Sequence, residues 1–293
     1  MSDYSIYVLE YAYSSQFPKS GVVYGAHNQG TIKLSYSYVL LKGRDRMIMV
    51  DVGYDNVDYA KELNDRFGVE NWQDYAVVLG ECGVRPEDVT DIIITHAHFD
   101  HMGGLARFPN AKVYLQEEEL AKWIWIMSLD EKFQFLMGAT DPSDIIKAVD
   151  LARQGRLISI RGACENALPG IDLHPAYDTH TAGSQYVVIR NDGKAASDDV
   201  WVLAGDLLYQ FDNLEGQSPE DSAYIPVGLA YGSQTNLLLV TDEMVKRAEG
   251  DTTRVIPIHE ERLKDRFPSR LSEKGLQIIE LAVGDGQQSH VSA

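Results

Sequence analysis

The stretch THAHFDHMGG, Thr95 to Gly104, follows directly on the apolar run Ile92, Ile93, Ile94 and packs three histidines and an aspartate into six residues. A buried strand that stops at a polar loop is where open α/β folds put their sites. In a chain with 8 histidines, His-x-His-x-Asp-His arises by chance on the order of once in a thousand such sequences, so a fortuitous turn is a poor account of it. Side chains two apart in an extended loop point the same way, which lets His96 and His98 grip one ion while Asp100 and His101 turn toward a neighbouring one. One loop cannot close two such sites, and the remaining ligands must come from other strand ends.

Outward from the loop, SIYVLEYAY, TIKLSYSYVLLKG and DRMIMVDVG are rich in β-branched and aromatic residues and predict strands separated by Gly and polar turns. NVDYAKELNDRFG has helical spacing and stops at Gly68, and WQDYAVVLGECG predicts a second helix. After the loop, AKVYLQ predicts a strand, EEELAKWIWIMSLDEKFQFLMG an unusually aromatic helical stretch, and DPSDIIKAVDLARQG a helix with a Pro-marked start. Trp123, Trp125, Phe133 and Phe135 in that stretch suit core packing or a subunit contact, with a lid over the site as the sharper alternative. The second half repeats the rhythm: SQYVVIR, VWVLAGD and TRVIPIH predict strands and NLLLVTDEMVKRAEG a helix, which suggests two stacked αβ halves.

Three further candidates repeat the placement of the first cluster beside apolar strands. His180 stands in YDTHTAGSQYVVI, Asp206 ends VWVLAGD, and His259 ends RVIPIH. His27, in YGAHNQG, fits a turn histidine better than a pocket residue, and His174 and His290 are expected to be structural or exposed.

Composition bounds the class of protein. At 293 residues and 44% hydrophobic the chain can bury a proper core. No apolar run is long enough for a membrane span, and MSDYSIYVLEYAYSS lacks the basic flank of a secretory signal, so a cytoplasmic protein with no membrane partner is expected. Cys82 and Cys164 are too few for a disulfide framework. A net charge of −18 without a basic cluster argues against nucleic acid and favours a neutral small-molecule substrate.

The order His-x-His-x-Asp-His, then His180 in THTAGSQ, Asp206 in LAGD and His259 in IPIH, resembles the metallo-β-lactamase superfamily over roughly Ser35 to Pro268. The resemblance implies an α/β fold, the four-layer αβ/βα sandwich. With that fold the chain is expected to form one metallo-hydrolase domain over 1–280 with a helical insertion at about 116–155, and the composition of GDGQQSHVSA predicts a flexible tail over 281–293. The resemblance further implies that His96, His98 and His180 hold one metal, that Asp100, His101 and His259 hold a second, and that Asp206 bridges them. Asp51, in MVDVG, would support the metal loop from behind. Zinc is the expected metal, with manganese, iron or cobalt suited to the same donors.

Within that superfamily, GDLLY is similar to the N-acyl-homoserine lactonase group, where the tyrosine matching Tyr209 hydrogen-bonds the substrate carbonyl. HEERLKDRFPSR also looks like that group's C-terminal stretch. One departure is that Thr179 and Ser184 stand where those relatives carry the first Gly and second His of GHxPGH.

The implied reaction is attack of a metal-bound hydroxide on a neutral lactone or ester, with Asp100 carrying the proton and Tyr209 meeting the developing oxyanion. Hydrolysis of an activated aryl ester, or of an aryl methyl ether such as a nitroaromatic ether in aromatic catabolism, is the alternative. A non-catalytic or redox member of the superfamily is a second. A homo- or hetero-oligomer is compatible with the aromatic insertion.

Overall fold

The computed structural model describes residues 3–218, 220 and 222–291. The apolar runs become two sheets facing one another. The first is begun by β1 (Ser5–Pro18), β2 (Thr31–Lys42), β3 (Met47–Val50), β4 (Asp91–Ile93), β5 (Lys112–Gln116) and β6 (Leu157–Ile160). The second is built from β7 (Cys164–Leu168), β8 (Ile171–Tyr177), β9 (Gly183–Arg190), β10 (Val200–Leu203) and β11 (Val255–Ile256). The chain then returns, and β12 (Ser269–Leu271) and β13 (Gln277–Ala282) complete the first sheet in the order β12-β13-β1-β2-β3-β4-β5-β6; the second runs β11-β10-β9-β8-β7.

Alternation along the strands assigns the layers. Ile6 and Val8 of β1, Val39 and Leu41 of β2, and Ile48 and Val50 of β3 pack with Val187, Ile189 and Leu203 in a core between the sheets. The intervening Tyr7, Leu9, Leu40 and Met49 join Leu63, Leu79 and Ile145 from helices on the outer face. The second sheet buries Tyr186, Val188 and Val202 beneath the helix Gln234–Arg247, which contributes Leu237 and Met244. Helix, sheet, sheet, helix is the four-layer sandwich that the sequence implied.

The strands β3 to β6 run parallel, as do β10 and β11, so their C-terminal ends fall on common edges. Strands buried on both faces read as the continuous runs MIMV and DII, and the antiparallel β1, β2 and β9 are likewise buried on both faces along most of their length. Asp51, the histidine loop, Asp206 and His259 each follow one of these parallel strands.

Besides the short β6, LISI, two regions went unread in the sequence. β8 carries Pro175, a residue that argues against an interior strand, and β7 is half exposed and has no apolar run. In the other, β13 lies beside β1 and buries Ile278 and Ile279 on opposite sides, extending order almost to the chain end. Beyond it, in the segment expected as a tail, the Gln287 side chain donates to Lys42 O at 2.9 Å and Arg270 Nε donates to His290 O at 2.6 Å. Ser292 and Ala293 lie outside the described residues.

The segment 116–155 is helical: Glu117–Met127, a tighter turn over Glu131–Met137, and Pro142–Arg153, which Asp141 caps by accepting from Ser143 N. Among its aromatics only Trp123 is buried; Phe135 is 83% exposed. No helix among the described residues is long and apolar enough to cross a membrane.

Asp144 lies in the first turn of the last of these helices, where a negative charge suits the helix dipole. Burial, with Asp141 and Asp55 nearby, nevertheless pushes its pKa up to about 8, and its Oδ2 has no hydrogen-bond partner. An unfolded aspartate titrates near 3.9. A folded-state value raised in this way contributes stability in full below about pH 4 and loses it as pH rises through about 8. Asp144→Asn is therefore expected to melt above the wild type at about pH 8 and to flatten the fall in Tm that the wild type shows from about pH 5 upward. Parallel Tm-against-pH curves for the two proteins would contradict this account.

Candidate metal centre

The histidine loop is held from beneath by Asp51. At the end of β3 this residue takes a left-handed conformation, φ +61°, and is fully buried. Its carboxylate accepts from Thr95 N at 2.7 Å, from Thr95 Oγ1 at 2.8 Å and from His101 Nδ1 at 2.8 Å. The loop then turns into the short helix Phe99–Met102, closed by Met102 N donating to His98 O. An extended pair followed by a helical pair separates His96 and His98 from Asp100 and His101.

Two donor groups result. His96, His98, His180 and Asp206 form one, and Asp100, His101 and His259 form the other; within each, the ligand atoms lie within 4.8 Å of one another. Asp206 touches both. Its Oδ2 lies 3.3 Å from His180 Nε2 and 3.7 Å from His96 Nε2, while its Oδ1 lies 3.0 Å from both His101 Nε2 and His259 Nε2. Asp100 Oδ2 lies 3.5 Å from His101 Nε2 and 3.8 Å from His259 Nε2.

The outward ring nitrogens are spoken for. His101 Nδ1 donates to Asp51, His180 Nδ1 to Leu229 O at 2.6 Å, and His259 Nδ1 to Ser35 O at 2.6 Å. A proton fixed there leaves Nε2 as the lone-pair nitrogen facing inward. His98 is reversed, with Nδ1 meeting His96 Nε2 and His180 Nε2 at 3.0 Å each.

Buried polar atoms without partners are costly and rare. Here His101 Nε2, His259 Nε2 and Asp206 Oδ1 are all buried without a hydrogen-bond partner, and they converge. Imidazole nitrogens and carboxylates in two sets sharing one aspartate are a donor set that fits two divalent cations.

The charges agree with that fit. Burial, reinforced by neighbouring imidazoles, holds His96 well below its ordinary pKa, lowers His180, and brings His98 to about 3, so these rings are neutral and free to ligate. For Asp206, burial works against ionisation, but His101, His259 and His96 outweigh it and keep the carboxylate charged. His101 and His259 would be depressed by burial, yet Asp206 and Asp100 raise both. The second group therefore holds protons more readily than the first, and cation binding would compete with them.

A cavity of about 530 Å³ opens over the two groups. Asp100, Asp206, His98, His180 and His259 form part of its wall, and the rest is mainly apolar, including Phe17, Leu34, Phe67, Phe99, Leu229 and Tyr231. Tyr209 also lines it. Its ring stacks on His259 at 5.0 Å between centroids, and its hydroxyl donates to Asp206 Oδ2 at 2.5 Å. Burial and the Asp206 charge raise the pKa of this phenol, so it stays a donor.

Thr179 and Ser184, the departures noted in the sequence, take local roles. Thr179 Oγ1 donates to Ala176 O, and Ser184 Oγ bonds the amide and hydroxyl of Thr181. His27 is exposed in a turn and is not on the cavity wall, and His174 is buried in a stack on Tyr186.

Sequence reasoning missed Glu119. This carboxylate is fully buried and accepts four hydrogen bonds: Ala97 N and Trp123 Nε1 on Oε1, Thr181 Oγ1 and Gly183 N on Oε2. It ties the loop carrying His96 and His98 to the turn carrying His180. At Gly183 an added Cβ would lie 2.2 Å from Glu119 N, so only glycine permits the approach. The segment 228–232 was also missed; it brings Leu229 to His180 and sets Tyr231 edge-on to His98 at 5.9 Å. Its legible signal is the pair Gly228 and Gly232, where a Cβ would come within 1.9 Å of Ser20 O and 2.4 Å of Asp178 C.

Comparison with known proteins agrees with this geometry. The sequence model described as the Metallo-beta-lactamase superfamily matches residues 31–259. Probable metallo-hydrolases of Mycobacterium tuberculosis and Mycobacterium bovis are each 26% identical over 205 residues, covering 66% of this chain. The chain spans 63% of the length of those relatives. Among solved structures, an N-acyl homoserine lactone hydrolase with its product N-hexanoyl-L-homoserine at the catalytic metal centre matches with a TM-score of 0.64 at 17% identity, over 91% of this chain and 97% of that one. A probable metal-dependent hydrolase from Staphylococcus aureus matches at 0.65 and 18% identity, over 89% and 91%. The dizinc quorum-quenching lactonase AidC matches at 0.62 and 17%, over 97% and 96%. At such identities the structural likeness speaks for the fold.

Proposed function

The chain belongs to the metallo-beta-lactamase superfamily, and from that premise we propose that it is a dinuclear metal-dependent hydrolase of a small lactone or ester. The observation that carries this reading is Asp206, which offers Oδ2 to one donor group and Oδ1 to the other. His96, His98 and His180 would hold one cation, Asp100, His101 and His259 the second, and Asp206 both. Two divalent cations there would supply an activated water near neutral pH and positive charge for the carbonyl oxygen.

The chain's own residues do the rest. Asp100 lines the cavity and is kept ionised by His101 and His259 despite its burial. It is suited to accept a proton from the attacking water and to pass it to the leaving alkoxide. Tyr209 has two claims on its hydroxyl, Asp206 Oδ2 and a substrate oxygen in the cavity it lines. As a phenol it donates to charge that develops on that oxygen. The apolar wall receives the body of the substrate and excludes water.

Lactone hydrolysis draws support from the fold shared with two lactone-cleaving enzymes. Activated aryl esters and aryl ethers are the second reading, favoured by the rings of Phe17, Phe67, Phe99 and Tyr231 on the cavity wall. The test is protein loaded with zinc, manganese, iron or cobalt, assayed for bound metal and for turnover of acyl-homoserine lactones, aromatic lactones, aryl esters and nitroaryl ethers. About two metals per chain with turnover of one class is the expected result. Protein that retains no metal and turns over nothing overturns the reading. On the active class, Tyr209→Phe is expected to lower kcat about 100-fold with little change in KM. A variant with undiminished kcat would remove Tyr209 from the chemistry.

A further inference from the structure

Beside the cavity over the metal centre lies a second space, and the two share lining residues. Arg66, Gln134 and Gly138 line the cavity and also line an adjoining groove of about 1200 Å³, whose walls include Tyr59, Ile126, Met127, Phe133 and Ile146. These shared residues mark the junction. The metal-centre side chains line only the first space.

Among the described residues, Arg66 is the one lysine or arginine lining either space. It ends the helix Asp58–Arg66 and reaches across to the insertion, where Nη1 donates to Gly138 O at 3.2 Å. Many arginines of this acidic protein face a carboxylate, Arg190 with Asp172 and Arg266 with Glu215 among them. Arg66 is exposed and forms no ion pair among the described residues, and that single carbonyl leaves most of its guanidinium donors to solvent or to a ligand. Asp130, Glu131 and Asp141 also line the groove and would repel an anion beside them. An anionic group is therefore favoured beside Arg66 and disfavoured beside those carboxylates.

We propose that Arg66 selects substrates that carry a carboxylate remote from the scissile carbonyl, with an apolar body between the two. The proposal rests on the hydrolase reading above and narrows its substrate class. The net charge of −18 points instead to a neutral substrate, but it acts from a distance through screening salt, whereas a guanidinium in contact makes charge-assisted hydrogen bonds.

The test uses two ester or lactone substrates identical except for a remote carboxylate or a primary carboxamide, on the metal-loaded wild type, Arg66→Ala and Arg66→Lys. The wild type is expected to favour the acid in kcat/KM, Arg66→Ala to reduce that preference about tenfold through KM, and Arg66→Lys to restore part of it. Calorimetry with a matched, non-hydrolysable acid and amide pair repeats the comparison without turnover. An acid preference equally strong in wild type and Arg66→Ala, by kinetics or by binding, overturns the proposal. Arg66-dependent acid binding without turnover of any substrate would instead uphold this site and overturn the hydrolase reading.

Discussion

Asp206→Asn is expected to reduce bound metal from about two ions per chain to one or fewer and to cut turnover by about 1,000-fold or more. The substitution preserves shape and removes charge from the one side chain that both donor groups share. Metal content after gel filtration and steady-state kinetics measure the two losses. A third readout needs no metal. In metal-free protein Asp206 is the largest influence raising His101 and His259 against burial, so both imidazoles should titrate at lower pH in the variant. Two retained metals, or unchanged histidine titrations by NMR, would show that Asp206 does not join the two groups.

Glu119→Gln is expected to lower stability by about 2–4 kcal/mol and to weaken metal binding about 10- to 100-fold. Both carboxylate oxygens accept two hydrogen bonds, and an amide NH2 in either position would face two donors. Burial raises the pKa of this group, and the four donors oppose that rise. The weakened binding follows because the lost bonds hold Ala97, between His96 and His98, against the Thr181 to Gly183 turn. Glu118→Gln, one residue away and exposed, is the control and should stay within about 0.5 kcal/mol of the wild type. Denaturant titration and competition with a chelator provide the numbers; indistinguishable behaviour of the two variants would deny Glu119 its bracing role.

Some of the centre was legible because its chemistry interrupts a pattern. Polar residues that ligate metals are conspicuous where a buried strand breaks off, which is why Asp51, the histidine loop, Asp206 and His259 stand out in sequence. Glu119 is hidden by the opposite circumstance. It belongs to a run of three glutamates at a helix start, where acidic residues are ordinary because the helix dipole favours them. The third one faces inward with Trp123, one turn later on the same helix, and the two side chains bond each other there. Arg66 is likewise an unremarkable last-turn cation until the insertion comes down beside it. β8 was obscured by Pro175, and the sandwich was legible through its resemblance and its parallel strands more than through its hairpins.

The passage between the sheets has a consequence for how the centre comes to exist. The chain leaves the first sheet at the β6 to β7 link, around Gly162, and does not return until β12. His96, His98, Asp100 and His101 precede that crossing; His180, Asp206 and His259 follow it. Neither half owns a complete set of donors, and each cation would be shared between them. Cations held there would act as rivets as well as reagents, tying side chains that precede the crossing to side chains that follow it.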